Sequence, residues 1–126
     1  MAKVAVVEDE TEIRELLEFA IKHAGFEVVS AGNGKQGLDI ILRERPEVAI
    51  LDVMMPGMSG FAVCHAVKQL MGPRAPYVII LTAKGQPTDV SAGQAHGADL
   101  YLIKPVDTFK LLDHVREALE QSEASS

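Results

Sequence analysis

The chain of 126 residues has one cysteine, Cys64, and no long apolar run. A single cysteine excludes an internal disulfide and is typical of a reducing compartment, so we expect a cytoplasmic location. The apolar runs fall well short of the roughly 18 residues that cross a bilayer. Lys3 is followed by only a short apolar run before acidic residues begin, which is not the pattern of a signal peptide. We therefore expect neither a membrane partner nor a secretory leader.

Positive charge is also scarce. There are 12 lysine and arginine residues against 18 aspartate and glutamate residues, for a formal net charge of −6. Because phosphate backbones attract basic surfaces, we do not expect direct nucleic-acid binding. The content of 48% hydrophobic and 24% charged residues is typical of a soluble globular protein. The length suits one domain, which we place at residues 1–121, with residues 122–126 as a disordered tail or the start of a linker.

Short β-branched runs alternate with longer segments of helical period. Strands are predicted at residues 3–7, 26–31, 48–52, 77–81 and 99–103. Helices are predicted at residues 11–24, from Gly34 to before Pro46, from about residue 61, and at residues 107–121, with a loosely packed one between residues 87 and 97. Leu16 and Leu70 are expected to face inward. This alternation predicts an α/β fold: a single-domain, doubly wound, five-stranded parallel sheet with helices on both faces.

Polar residues stand at the predicted carboxyl ends of four strands. They are Glu8 and Asp9 after the first strand, Asp52 at the end of the third, Thr82 after the fourth and Lys104 after the fifth. Right-handed crossovers keep parallel strands pointing the same way, so these side chains are expected to meet at one edge of the sheet. Ligands of such sheets bind at that edge.

Three carboxylates at one edge repel one another strongly, and Lys104 supplies only one compensating charge. Mg²⁺ prefers hard oxygen ligands, so the three carboxylates and a loop carbonyl such as that of Met54 would suit it. A carboxylate beside Mg²⁺ and a lysine can also attack phosphorus and form an aspartyl phosphate. Asp52, Lys104 and Thr82 match the attacking group, the cation and the hydroxyl that this reaction needs. The alternative is that these polar residues merely cap strand ends on a wet surface.

Four segments carry a resemblance to a known family. They are "VVEDE", "LDVMMPGMSG", "ILTAKG" and "YLIKPVD". In combination they resemble the receiver domain of bacterial two-component response regulators, the CheY-like family, from about Lys3 to Gln121. The resemblance implies a flavodoxin-like strand order 2-1-3-4-5.

The resemblance also implies roles for individual residues. Asp52 would accept a phosphoryl group from a histidine kinase, a phosphotransfer protein or a small donor. Thr82 would hydrogen bond that group and Lys104 would pair with it, while a cis peptide bond would precede Pro105. Tyr101 would turn inward on activation. The Mg²⁺ ligands would be the side chains of Glu8, Asp9 and Asp52 and the backbone carbonyl of Met54.

By the same resemblance, the chain is no enzyme toward other substrates and catalyses only phosphorylation and dephosphorylation of its own aspartate. Its output face would comprise the 87–97 segment, the fifth strand and the last helix, and would act on an effector protein or output domain. Two alternatives stay open. One is a flavodoxin-like protein that binds a nucleotide or FMN, and the other is a receiver that has lost phosphorylation and acts as an interaction module.

Overall fold

The computed structural model describes residues 1–83 and 97–125, with side chains in the last helix described up to residue 121. Five parallel strands form one sheet in the order β2-β1-β3-β4-β5. The strands are β1 (Lys3–Val7), β2 (Glu27–Ala31), β3 (Val48–Asp52), β4 (Tyr77–Thr82) and β5 (Leu100–Ile103). The predicted doubly wound topology is confirmed.

Four described α-helices cover the sheet on both faces. They are α1 (Thr11–His23), α2 (Gly34–Glu44), α3 (Gly60–Met71) and α4 (Thr108–Ser125), with a short 3-10 helix at Gly72–Arg74. The helix predicted between residues 87 and 97 falls almost entirely on residues 84–96, outside the described part of the chain. Among the residues that are described, no helix is long and apolar enough to cross a membrane.

Local signals in the sequence start the two helices that follow β2 and β3. The Asn33 side chain accepts a hydrogen bond of 2.8 Å from the Gln36 backbone N–H at the start of α2. The Ser59 hydroxyl accepts one of 3.2 Å from the Ala62 N–H at the start of α3. Such caps satisfy backbone donors that the helix leaves unpaired, and each contributes about 1 kcal/mol.

The sheet separates two apolar clusters. One cluster joins the sheet to α1 and α4 and includes Leu17, Ile21, Leu111 and Val115. The other joins it to α2 and α3 and includes Ile41, Phe61, Val63 and Val67. All five residues of β3 are buried, because helices cover both faces of this central strand. Asp52 therefore ends a strand that has no solvent-facing side.

Two inward positions were predicted wrongly. The Leu16 side chain is 57% exposed, because it lies at the edge of the apolar face of α1 and lines an apolar cavity with Ile13 and Pro105. Leu70 is 66% exposed, because Met71 takes the inward position after Val67 at the end of α3.

The element boundaries shift by a few residues. β2 begins at Glu27 and not at residue 26, and β5 begins at Leu100 and not at residue 99. α4 continues to Ser125, past the predicted end at residue 121.

Candidate functional site

The ends of β1, β3 and β4 bring three polar side chains into the protein interior. Glu8 directly follows β1, Asp52 is the last residue of β3, and Thr82 is the last residue of β4. Their exposed fractions are 1%, 3% and 1%. Within residues 1–83 and 97–121, no other polar or charged residue is buried. Since buried polar groups are costly without partners, the contacts of these three residues define the site.

Lys104 directly follows β5, and its side chain extends into this site. Its Nζ lies 2.8 Å from Oδ1 of Asp52 and 3.4 Å from Oε1 of Glu8. Burial alone would lower the pKa of Lys104, but the hydrogen bond and charge of Asp52, with help from Glu8, raise it above its usual value. The lysine therefore stays charged and neutralises one of the carboxylates.

Glu8 occupies the least favourable electrostatic position in the site. Burial, followed by the hydrogen bond and negative charge of Asp52, raises the pKa of Glu8 to about 7, although Lys104 opposes this shift. The Glu10 backbone N–H donates a hydrogen bond of 3.3 Å to the other carboxylate oxygen of Glu8. Without another cation, Glu8 is therefore partly protonated near neutral pH.

The three acidic side chains form a candidate metal centre. One carboxylate oxygen from each of Glu8, Asp9 and Asp52 lies within 4.8 Å of the others. At such separations a pair of charges repels by about 3 kcal/mol at an effective dielectric of about 20. When all three carboxylates are ionised, they and the one ammonium carry a net charge of −2, and all the donor atoms are hard oxygens. The cluster is therefore compatible with a divalent cation such as Mg²⁺.

The backbone around Asp52 depends on a close approach by Gly60. A Cβ on Gly60 would lie 2.3 Å from the Asp52 carbonyl oxygen, a distance that no side chain tolerates. The Gly60 N–H donates a hydrogen bond of 3.1 Å to the Val53 carbonyl, and the Val53 N–H donates one of 3.1 Å to Leu81. The start of α3 is thus packed directly against the strand end that carries Asp52.

The end of β5 is tied to the end of β4. The Lys104 N–H donates a hydrogen bond of 2.8 Å to the Thr82 carbonyl. The peptide bond between Lys104 and Pro105 is cis, as the resemblance implied. This hydrogen bond and the cis peptide bond both involve the backbone of Lys104, the residue whose side chain reaches Asp52.

Two buried hydroxyl groups, one at the end of β4 and one on β5, have no hydrogen-bond partner in the described part of the chain. They are Oγ1 of Thr82 and the phenol oxygen of Tyr101. The Tyr101 ring packs against the apolar cluster of α2 and α3, so it lies inward. A buried hydroxyl without a partner has unused capacity to bond a group that enters the site.

Of the predicted site residues, four meet in one cluster, namely Glu8, Asp9, Asp52 and Lys104. The roles predicted for Thr82, Tyr101 and Met54 stay predictions. Met54 lies in the loop after Asp52 with its side chain 63% exposed. Sequence reasoning missed Arg14, whose Nη1 donates a hydrogen bond of 2.8 Å to the Glu8 backbone carbonyl. The available signal was a basic residue near the start of a helix, where the helix dipole favours acidic side chains.

The comparisons with known proteins agree with this geometry. Residues 4–116 match the family described as response regulator receiver domain. The chain is 36% identical over all 126 residues to the transcriptional regulatory protein AfsQ1 of Streptomyces coelicolor. It covers 55% of that protein and so spans about half the length of this curated relative.

Two solved structures show the same fold. The chemotaxis protein CheY4 of Vibrio cholerae is 33% identical, with a TM-score of 0.86 over 94% of this chain and 98% of that chain. A CheY-like receiver domain from Methanospirillum hungatei is 25% identical, with a TM-score of 0.93 over 100% of this chain and 99% of that chain. The strand order, the family match and these relatives lead to one conclusion: the chain belongs to the response regulator receiver domains of two-component systems.

Proposed function

We propose that this receiver domain is controlled by phosphorylation of Asp52. The observation that carries the proposal is the contact of Asp52 with Lys104 at 2.8 Å inside a cluster that also holds Glu8 and Asp9. The Asp52 carboxylate is held by a cation and placed next to a candidate metal site. Those are the requirements for a carboxylate nucleophile toward phosphorus.

In the proposed reaction, a carboxylate oxygen of Asp52 forms a bond to phosphorus as the bond from phosphorus to the donor breaks. The donor leaves with the electron pair of that bond, and the product is a mixed anhydride on Asp52. Lys104 balances negative charge that the incoming phosphoryl oxygens bring to the site. The Thr82 hydroxyl, which has no partner among the described residues, donates a hydrogen bond to one of those oxygens.

Glu8, Asp9, Asp52 and the backbone carbonyl of Met54 would hold Mg²⁺ in this site. When bound, the cation neutralises charge on the phosphoryl oxygens. The compact set of three carboxylates supports this assignment, since hard oxygen ligands suit Mg²⁺ and leave places for water and phosphate oxygens.

The family implies input from a kinase and output to an effector. We propose a histidine kinase or phosphotransfer protein as the phosphoryl donor in the cytoplasm, and an effector protein or output domain as the recipient of the signal. Residues 1–121 would form the receiver unit. Its only catalysis would be the gain and loss of its own phosphoryl group. Tyr101 would transmit the conformational change on phosphorylation to the face formed by β5 and α4.

Incubation with acetyl phosphate and Mg²⁺ tests the proposal. Intact-mass spectrometry should show a gain of one phosphoryl group per chain. Asp52→Asn should abolish the gain, because the amide is not a nucleophile, whereas Asp39→Asn on the exposed surface of α2 should retain it.

An unchanged mass of the wild-type chain would instead favour the receiver that acts as an interaction module. A mass gain that persists in Asp52→Asn would move the acceptor to another residue. The family assignment leaves no support for the FMN alternative.

A further inference from the structure

Arg14 connects α1 to the end of β1. Its Nη1 donates a hydrogen bond of 2.8 Å to the backbone carbonyl oxygen of Glu8. The register of β1 with β3 ends one residue earlier, at Val7 and Leu51. The guanidinium therefore supplies a hydrogen bond to a carbonyl that lies beyond the sheet ladder.

This carbonyl belongs to the peptide unit between Glu8 and Asp9, both members of the candidate metal centre. The backbone N–H of Glu8, in the preceding peptide unit, donates a hydrogen bond of 3.1 Å to the Ala31 carbonyl. The two hydrogen bonds fix the backbone from which both carboxylates project. A rotation of this peptide unit would displace both oxygen donors at once.

The Arg14 side chain is itself held in place. Its Nε lies 4.0 Å from Oε1 of Glu18, one turn further along α1, and the Ser30 hydroxyl of β2 donates a hydrogen bond to that same oxygen. A Cβ on Gly32 would lie 3.1 Å from Nη1, so the glycine leaves room for the guanidinium. Contacts therefore run from β2 through Glu18 and Arg14 to the Glu8 carbonyl.

We propose that Arg14 is a positioning residue for the divalent cation site. It acts through the Glu8–Asp9 peptide and contacts no cation itself. This inference rests on the proposed function, since it assumes that the acidic cluster binds Mg²⁺. Residues that orient metal ligands typically change metal affinity about 10- to 100-fold when removed.

The sign of the effect separates positioning from simple electrostatics. Arg14 carries a positive charge, so its removal makes the surroundings of the site more negative and, by charge alone, should tighten cation binding. Loss of positioning should weaken it. Loss of the Arg14 charge alone cannot explain a weaker affinity for Mg²⁺.

The experiment is a Mg²⁺ titration of the full chain without phosphodonor, followed by backbone amide NMR shifts. Arg14→Met should weaken binding about tenfold, and Arg14→Lys should fall between that variant and wild type because its ammonium retains one hydrogen-bond donor for the Glu8 carbonyl without the planar guanidinium geometry. The matched control is Arg116→Met, since Arg116 is exposed on α4 and lies 3.4 Å from Asp113 of the same helix. The control should bind within about twofold of wild type.

A thermal melt of each variant without metal shows whether it folds. If Arg14→Met fails to fold, Arg14→Lys carries the test in its place, because it keeps the charge and so any weakening reports lost positioning. Equal or tighter Mg²⁺ binding by the folded Arg14 variants overturns the inference while leaving the proposed function intact. Absence of Mg²⁺ binding by the wild-type chain would instead overturn the metal site itself, and this inference with it.

Discussion

At the scale of single residues, Glu8 shows how burial and charge act together. Its pKa is raised to about 7 from 4.5 by burial and by Asp52. In the metal-free protein, the folded state therefore holds a proton that the unfolded chain releases between those two values. The associated stability is fully present below the unfolded pKa and is lost as the pH rises through about 7.

Glu8→Gln should therefore stabilise the metal-free protein at pH 8 by about 3 kcal/mol, because it removes a buried charge. At pH 4 the variant and the wild type should unfold alike, since Glu8 is then neutral. Urea unfolding at the two pH values measures the difference. Glu12→Gln on the exposed face of α1 is the control and should change little. A variant less stable than wild type at pH 8 would show that the Glu8 charge is favourable in the fold.

Lys104→Ala tests the partner of Asp52 on the other side of the site. We expect this variant to gain a phosphoryl group from acetyl phosphate, because the carboxylate nucleophile and the acidic cluster remain. The structural change on phosphorylation should be transmitted to β5 only in part, because the variant lacks the 2.8 Å contact that links Lys104 to Asp52. Intact mass and amide NMR shifts of Tyr101 and Ile103 measure the two effects. Wild-type shifts on phosphorylation would contradict the role given to Lys104.

At the scale of elements, the close packing of α3 on the end of β3 holds the site together. Gly60 and Gly57 both lie in this connection, but they are constrained differently. A Cβ on Gly60 would meet the Asp52 carbonyl at 2.3 Å, whereas a Cβ on Gly57 would meet nothing within 4 Å. Gly57 is constrained only by its positive φ of 77°.

Gly60→Ala should therefore cost more stability than Gly57→Ala, which should cost about 1 kcal/mol for the strained backbone alone. Gly60→Ala must also push α3 away from Asp52, so it should weaken Mg²⁺ binding and slow phosphorylation, while Gly57→Ala should leave both near wild type. Urea unfolding and Mg²⁺ titration of the two variants provide the comparison. Equal effects of the two substitutions would argue against a direct contact between helix and strand end.

At the scale of the whole molecule, Cys64 can report on the integrity of the fold. It is fully buried between α3 and the sheet, and burial raises the pKa of its thiol to about 11. Only the thiolate reacts with alkylating reagents. Both the low thiolate fraction and the lack of access therefore protect this residue in the folded state.

Alkylation of Cys64 by iodoacetamide at pH 8 should be at least about 100-fold slower in the native protein than in urea. Mg²⁺ should slow it further, because a ligand that binds only the folded state lowers the unfolded population. Mass spectrometry of timed samples measures both rates. A native rate close to that of the unfolded chain would mean that α3 separates from the sheet without global unfolding.

Much of this molecule was predictable from the sequence, for reasons that particular residues show. The β-branched runs of β1 and β3 were placed correctly, since both are short and, after Lys3 in β1, apolar until an acidic residue ends them. The meeting of Asp52 with Lys104 followed from the rule that parallel strands share one carboxyl edge. The inward positions of Leu16 and Leu70 were wrong, because helical periodicity does not show where a neighbouring helix or sheet ends.

The sequence by itself determined the succession of strands and helices along the chain and the residue types at the functional edge, because periodicity and strand ends are local properties. Only the tertiary structure decided that Glu8 would be buried against Asp52 with a raised pKa, and that Arg14 would reach the Glu8 carbonyl. Both outcomes depend on distances between elements far apart in the chain, and desolvation and Coulomb energies change steeply with those distances.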